Sequence, residues 1–149
     1  MSPLGDRFPD HFKKNFSSDN VKVGAVLKTF SNHTKPPKEK RCIIVGIKGN
    51  SVGVVYINTE NNAPSKLKSY QKPISKKGNE SILEWDSFID CANLYEEDLE
   101  DLEDLKRKIE DNANAHLGDI STSDLSGIIT LVKGSPKIDD KTLEKFGLK

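Results

Sequence analysis

Polar side chains stand at the two open ends of a predicted β-hairpin. Arg41 directly precedes the most apolar run of the chain, so the core should fix its backbone while its guanidinium faces solvent. Asn58 and Thr59 follow the next apolar run, and Gly49-Asn50 between the runs is typical of a two-residue turn. Because both ends lie about eight residues from this turn, a hairpin in register places Asn58 and Thr59 beside Arg41. Such an arginine can bind a phosphate through two hydrogen bonds and stabilise developing charge, although an arginine at the start of a strand is also an ordinary surface residue.

The distribution of charge along the chain is uneven. Residues 1–83 carry 15 lysines and arginines against 6 acidic residues, and residues 84–149 carry 8 against 17. The resulting net charges of +9 and −9 cancel over the whole chain. A cationic half attracts polyanions, but two solvated faces of opposite sign explain the pattern equally well.

Several classes of function find no support in the residues. No glycine-rich nucleotide motif and no arrangement for nucleophilic catalysis stands out. The histidines His11, His33 and His116 lack metal-ligand spacing, so we expect neither a metal nor a cofactor. No apolar run approaches the roughly 20 residues that span a bilayer, and the N-terminus has no secretory or transit pattern, which favours a cytoplasmic protein without membrane contact. Cys42 and Cys91 are therefore expected to be reduced and buried.

The spacing of apolar residues along the chain predicts the elements that position the hairpin. Residues 1–20 form a polar N-terminal extension, and a single domain is expected over residues 21–149. Strands are predicted over 21–30, 41–47, 52–57 and 81–90. The last of these can be interpreted as strand or helix, and its aromatic and β-branched side chains favour a strand.

After Cys91 the spacing of the apolar residues changes to that of a helix. One apolar stripe is surrounded by acidic residues and consists of Leu99, Leu102, Leu105 and Ile109. Ser121 and Asp124 resemble a capping box at the start of a second helix, and a third helix is predicted over 139–146. Strands at about 21–94 followed by helices at about 95–147 predict an α+β fold, in which a small antiparallel barrel or curled sheet carries helices at one end or face.

Four segments in this order resemble the PemK/MazF/Kid family of toxin ribonucleases. Residues 21–27 (VKVGAVL) resemble the family's opening strand, and residues 41–45 (RCIIV) resemble its arginine-led strand. Residues 54–59 (VVYINT) resemble the strand that ends in a hydroxyl residue, and residues 118–132 resemble the final helix. The resemblance implies an SH3-like barrel with C-terminal helices, usually a homodimer. Such a protein cleaves single-stranded RNA without a metal and is held in check by an antitoxin protein.

The resemblance also implies roles for individual residues. Arg41 matches the phosphate-stabilising arginine, and Thr59, or Asn58 if the register differs by one, matches the hydroxyl residue. His33 falls in the loop where some members have a histidine, and Asp86 falls where the Kid branch has an aspartate. These four residues (Arg41, Thr59, His33 and Asp86) are the catalytic candidates. The candidates for contact with RNA are Asn58 and five lysines of the basic half: Lys35, Lys38, Lys40, Lys66 and Lys68.

Three positions depart from the family pattern. Cys42 replaces a proline, Glu60 replaces a serine, and Glu84 stands where the Kid branch has a second arginine. A carboxylate at position 84 would repel a phosphate. This leaves open a second hypothesis, a non-catalytic barrel that binds nucleic acid or a protein. In a third hypothesis, the acidic half of the chain binds a basic partner.

Overall fold

A curled antiparallel sheet carrying two α-helices makes up the described part of the chain. The computed structural model describes residues 22–31, 38–49, 51–98 and 116–149. The strands of the sheet are β1 (Ala25–Ser31), β2 (Lys38–Lys48), β3 (Ser51–Asn58), β4 (Gln71–Ile74), β5 (Ser87–Asp90), β6 (Tyr95–Asp98) and β7 (His116–Asp119). A 3-10 helix (Ser65–Tyr70) precedes β4, and the α-helices are α1 (Thr122–Gly134) and α2 (Asp140–Lys145). The sheet order is β4-β5-β3-β2-β1-β7, with β6 also paired to β3. The architecture is therefore α+β and barrel-like, as predicted.

The β2–β3 hairpin is the centre of the sheet. Its ladder runs from Lys48 opposite Ser51 to Arg41 opposite Ile57, so the predicted register is confirmed. The turn contains Gly49 at φ 55°, a left-handed conformation that glycine adopts without strain. The hairpin thereby brings Arg41 next to the end of β3.

The outer edge of β3 pairs with two different strands. Its N-terminal half pairs with β6, from Ser51 opposite Asp98 to Val54 opposite Tyr95. Its C-terminal end pairs with β5, where Asn58 lies opposite Phe88. The second pairing carries the segment that precedes β5 to the same end of the sheet as Arg41.

Both faces of the hairpin are buried because its side chains alternate between two apolar clusters. Ile43, Val45 and Val55 pack in the main core with Ile128 and Val132 of α1. The opposite face forms a second cluster, which consists of Ala25, Leu27, Cys42, Ile44, Val52, Val54 and Tyr56. The central hairpin is therefore held rigidly from two sides.

The two predicted C-terminal helices are confirmed, with their caps. The Ser121 hydroxyl accepts a hydrogen bond from the Asp124 backbone N–H at 3.1 Å, and the Asp139 carboxylate accepts one from the Thr142 N–H at 2.8 Å. These bonds satisfy backbone donors that a helix N-terminus leaves unpaired. A hydrogen bond from the Thr142 side chain is the main cause that lowers the pKa of Asp139, and the backbone N–H bond adds to it. Gly134 is the last residue of α1.

Other predicted elements differ from the structure. β1 starts at Ala25 because residues 22–24 form a turn, in which the Ala25 N–H donates to the Lys22 carbonyl. Of the segment 81–90 only Ser87–Asp90 is a strand, since the N–H groups of Ile82 and Leu83 both bond to the Asn79 carbonyl in a turn.

The boundary between strands and helices also differs from the prediction. Tyr95–Asp98 is a strand rather than the start of a helix, because it pairs with β3. Strand β7 pairs with β1 and was not predicted. The stripe from Leu99 to Ile109 and the extension 1–20 lie outside the described residues.

Cys42 and Cys91 are both buried, as predicted, and no disulfide joins them. Burial is the main cause that raises the pKa of Cys91 to about 12, and the nearby Asp90 charge adds to it. The thiol of Cys91 is therefore protonated at neutral pH and a poor nucleophile. Within the described ranges, no helix is long and apolar enough to cross a membrane.

Gly46 is a point where the sheet admits no side chain. A Cβ at this position would lie 2.5 Å from the Phe146 Cβ and 3.1 Å from the Phe146 carbonyl oxygen. We expect Gly46→Ala to lower the free energy of unfolding by about 3 kcal/mol, since overpacking against backbone cannot relax. In urea unfolding, the control Gly49→Ala should cost only about 1 kcal/mol, because its strain is confined to φ and, apart from its chain neighbours, no atom of the described residues lies within 4 Å of the added Cβ. Equal costs for the two variants would contradict this packing.

Candidate functional site

A cleft of about 710 Å³ opens at the end of the sheet where β2 begins and β3 ends. Its walls come from the ends of these strands, from the loop between β3 and the 3-10 helix, from the segment before β5 and from the residues after β5. The cleft therefore depends on the β3–β5 pairing as much as on the hairpin.

Arg41 lies in this cleft with its backbone fixed in the ladder opposite Ile57. The side chain is only 23% exposed, and its Nη2 lies 3.3 Å from Oε1 of Glu84. Its Nε is buried and has no hydrogen-bond partner among the described residues. A buried donor without a partner costs free energy, so the described residues do not satisfy every donor of this guanidinium.

Asn58 and Thr59 reach the same cleft, as the predicted hairpin geometry requires. The Asn58 Oδ1 accepts a hydrogen bond from the Lys40 Nζ. The same ammonium group lies 5.7 Å from the centre of the Tyr56 ring, a cation–π distance. Lys40 is thus oriented at the edge of the cleft, beside Arg41.

Trp85 is a site residue that the sequence pattern missed, since the pattern assigned it only to a predicted strand over 81–90. Its side chain is 65% exposed in the cleft wall. It follows Glu84 in the turn before β5, and its carbonyl accepts a hydrogen bond from the Ser87 hydroxyl at 2.7 Å. The polar neighbours Glu84, Asp86 and Ser87 were the one available sign that this aromatic residue does not belong to a buried strand. Trp85 and Arg41 line the same cleft, which therefore offers an exposed planar surface and a guanidinium in one cavity.

Asp90 is the central acceptor of a hydrogen-bond network in another wall of the cleft. Its Oδ1 accepts hydrogen bonds from Gln71 Nε2 at 2.7 Å and from the Ala92 N–H at 3.1 Å. Its Oδ2 accepts one from Asn93 Nδ2 at 2.9 Å. Because both carboxylate oxygens are occupied, Asp90 fixes the cleft wall rather than offering itself to a ligand.

Some sequence-predicted candidates do not line the cleft. Asp86 accepts a hydrogen bond from the Lys76 backbone N–H at 2.8 Å and lies outside the cleft. Lys66 and Lys68 are exposed on the 3-10 helix, and only Leu67 between them reaches the lining.

For three further candidates the structure gives no side-chain position. His33 and Lys35 lie outside the described residues. Lys38 begins β2 opposite Ser31, and only its backbone is described.

The charges of the cleft come from both halves of the chain. Its cationic residues are Lys28, Lys40, Arg41 and Lys137, and its acidic residues are Glu60, Glu84 and Asp90. Lys137 and Glu84 belong to the acidic half, so the fold mixes the charges that the sequence separates. The lining thus has a small excess of positive charge, four cationic side chains against three acidic ones.

Comparisons with known proteins do not assign the chain to a family. No family model matches it, and no curated protein matches its sequence. Within the described ranges, no group of three or more histidine, cysteine or acidic side chains is arranged to hold a metal ion.

Proposed function

We propose that this chain is a metal-independent endoribonuclease of toxin–antitoxin type, which cleaves single-stranded RNA in the Arg41 cleft. One observation carries the proposal: the hairpin register and the β3–β5 pairing bring Arg41, Thr59 and the exposed Trp85 into one cleft. The curled sheet with C-terminal helices is compatible with an SH3-like barrel of the PemK/MazF type. A homodimer and an antitoxin partner belong to the same proposal.

The chemistry needs no nucleophile from the protein, because the RNA 2′-hydroxyl attacks the adjacent phosphorus. Arg41 stabilises the charge that develops on the phosphoryl oxygens in the transition state. The Thr59 hydroxyl, directly after β3, holds the phosphate in place by donating a hydrogen bond to one of its oxygens. Lys40 contributes a further positive charge at the edge of the cleft. The products are a 2′,3′-cyclic phosphate and a 5′-hydroxyl.

Trp85 supports a single-stranded substrate, because an unpaired base can stack on an exposed ring. Base–aromatic stacking contributes about 1–3 kcal/mol per base, so Trp85→Ala should weaken binding of a short unpaired RNA about tenfold or more. Trp85 is the sole tryptophan of the chain, and its fluorescence should be quenched as this RNA is titrated. Trp85→Phe should keep part of the affinity, and duplex RNA should give little quenching. Unchanged affinity in Trp85→Ala would contradict the stacking role.

The proposal is tested by incubating the purified chain with single-stranded RNA in EDTA and analysing the new ends. We expect cleavage, with cyclic phosphate on one fragment and a 5′-hydroxyl on the other. RNA that remains intact, or fragments with 5′-phosphate ends, would contradict it.

A second function, binding of RNA without cleavage, is favoured by one contact. The Glu84 carboxylate lies 3.3 Å from the Arg41 guanidinium, where it competes with a phosphate. In that case Glu84→Gln should strengthen RNA binding, while no variant cleaves RNA.

A further inference from the structure

We propose that Glu84 is the general base of this cleft, accepting the proton of the RNA 2′-hydroxyl. The inference rests on the proposed ribonuclease function and assigns a catalytic residue to it. It reverses the sequence-based expectation, in which a carboxylate at this position opposes catalysis.

The position of Glu84 relative to Arg41 is the first argument. Its Oε1 lies 3.3 Å from Arg41 Nη2. The attacking 2′-oxygen and the phosphate belong to the same nucleotide, so the base must lie next to the group that binds the phosphate. A base needs about 2.6–3.2 Å between its oxygen and the hydroxyl oxygen, a span that a carboxylate beside Arg41 can meet.

The accessibility of Glu84 is the second argument. Its side chain is 67% exposed, so the carboxylate can meet a substrate that enters the cleft. An exposed ion pair contributes only about 0–1 kcal/mol. A phosphate can therefore replace Glu84 at the guanidinium at little cost, and the displaced carboxylate remains next to the ribose.

The other acidic groups of the region are engaged elsewhere. Both Asp90 oxygens accept hydrogen bonds from Gln71, Ala92 and Asn93. Glu60 accepts one from Asn62 Nδ2 at 3.1 Å. Asp86 is bound to the Lys76 N–H outside the cleft. Glu84 is the carboxylate whose partner, within the described residues, is the phosphate-binding arginine.

The charged groups around Glu84 come from every wall of the cleft. They are Lys28 of β1, Lys40 and Arg41 of β2, Glu60 after β3, Asp90 of β5 and Lys137 after α1. Four of these six side chains are cationic, so the Glu84 carboxylate lies in a cleft with more positive than negative neighbours.

The step balances in protons and electrons. The Glu84 carboxylate takes the 2′-hydroxyl proton as the 2′-oxygen forms its bond to phosphorus. The bond from phosphorus to the 5′-oxygen breaks, and this oxygen takes a proton from solvent water. Glu84 then returns its proton to the hydroxide that was formed, and the cyclic phosphate leaves.

The test separates binding from cleavage in Glu84→Gln, which removes the base and keeps the shape. Cleavage under single-turnover conditions in EDTA should fall about 10²- to 10⁴-fold, while affinity measured by Trp85 fluorescence is equal or higher. The rate of the unsubstituted chain should fall toward low pH, and the residual rate of Glu84→Gln should lack that fall. Glu144→Gln, on the exposed face of α2, is the matched control.

The other possible results each contradict the role of Glu84, the proposed function or both. If the unsubstituted chain cleaves RNA and Glu84→Gln cleaves equally fast, the inference is wrong and the proposed function stands. A rate that drops only in proportion to lost binding also overturns it. Loss of cleavage in Asp86→Asn but not in Glu84→Gln would give the role to Asp86. If the unsubstituted chain leaves RNA intact, the proposed function fails and the inference fails with it.

Discussion

Replacement of Arg41 by alanine should lower the rate of RNA cleavage about 10³-fold. A donor aimed at developing oxyanion charge is worth about 10²- to 10³-fold in rate, and a guanidinium that neutralises a phosphoryl group can be worth more. Arg41 is suited to this role because the ladder opposite Ile57 fixes its backbone. Its limited exposure of 23% also restricts the positions of the guanidinium. Single-turnover cleavage of a labelled RNA measures the effect.

Two controls separate chemistry from charge and folding. Arg41→Lys keeps the charge but loses the bidentate geometry, so most of the rate should still be lost. Lys66→Ala removes a cation of the basic half that does not line the cleft, so it should cleave RNA nearly as fast as the unsubstituted chain. A melting curve shows whether Arg41→Ala is folded. RNA that a folded Arg41→Ala cuts at the unsubstituted rate would remove Arg41 from the mechanism.

Replacement of Asp90 by alanine should have the largest effect on stability among the residues of the cleft. The carboxylate accepts three hydrogen bonds, and the buried Gln71 amide, only 7% exposed, would lose its partner. Hydrogen bonds to charged groups are worth about 1.5–3 kcal/mol each, and an unsatisfied buried donor adds a penalty. We expect a loss of about 3 kcal/mol in the free energy of unfolding, measured in urea.

Asp86→Ala is the matched control for that loss. Asp86 is an exposed aspartate that accepts one backbone hydrogen bond, from Lys76. Its replacement should therefore cost less than about 1 kcal/mol. If Asp90→Ala and Asp86→Ala unfold at the same urea concentration, the network around Asp90 does not hold the cleft wall.

The hairpin could be predicted from sequence because its determinants are local. The β-branched runs, the Gly49 turn and the equal arm lengths all point to one register, and this register brings Arg41 and Asn58 together. The cap at Ser121 was likewise visible, since a cap depends on residues three positions apart.

The other wall of the cleft could not be predicted, because its determinants are distant along the chain. Trp85 and Glu84 reach Arg41 through the pairing of β5 with β3, in which Ile89 lies opposite Ile57. The apolar residues of segment 81–90 suit either a strand or a turn with buried side chains. Tertiary contacts decide between them: Ile82 and Leu83 are buried.

Strand β6 could not be predicted from local sequence either. Its residues, Tyr95–Asp98, are mostly acidic, and acidic residues are poor strand formers. The neighbouring sequence also favours a helix. The segment is a strand because the free edge of β3 supplies backbone hydrogen bonds from Ser51 to Val54, an effect that no local pattern contains.

The central claim is RNA cleavage by 2′-hydroxyl attack in the Arg41 cleft. Two RNAs of identical sequence test it, one fully ribose and one with a single 2′-deoxy nucleotide at the mapped cleavage position, both incubated with the full chain in EDTA. Binding of both should quench Trp85 to the same extent, because stacking does not require the 2′-hydroxyl. We predict that the all-ribose RNA is cut at that position and that the substituted RNA is not. Cutting of both RNAs at that position, or of neither, would contradict the mechanism.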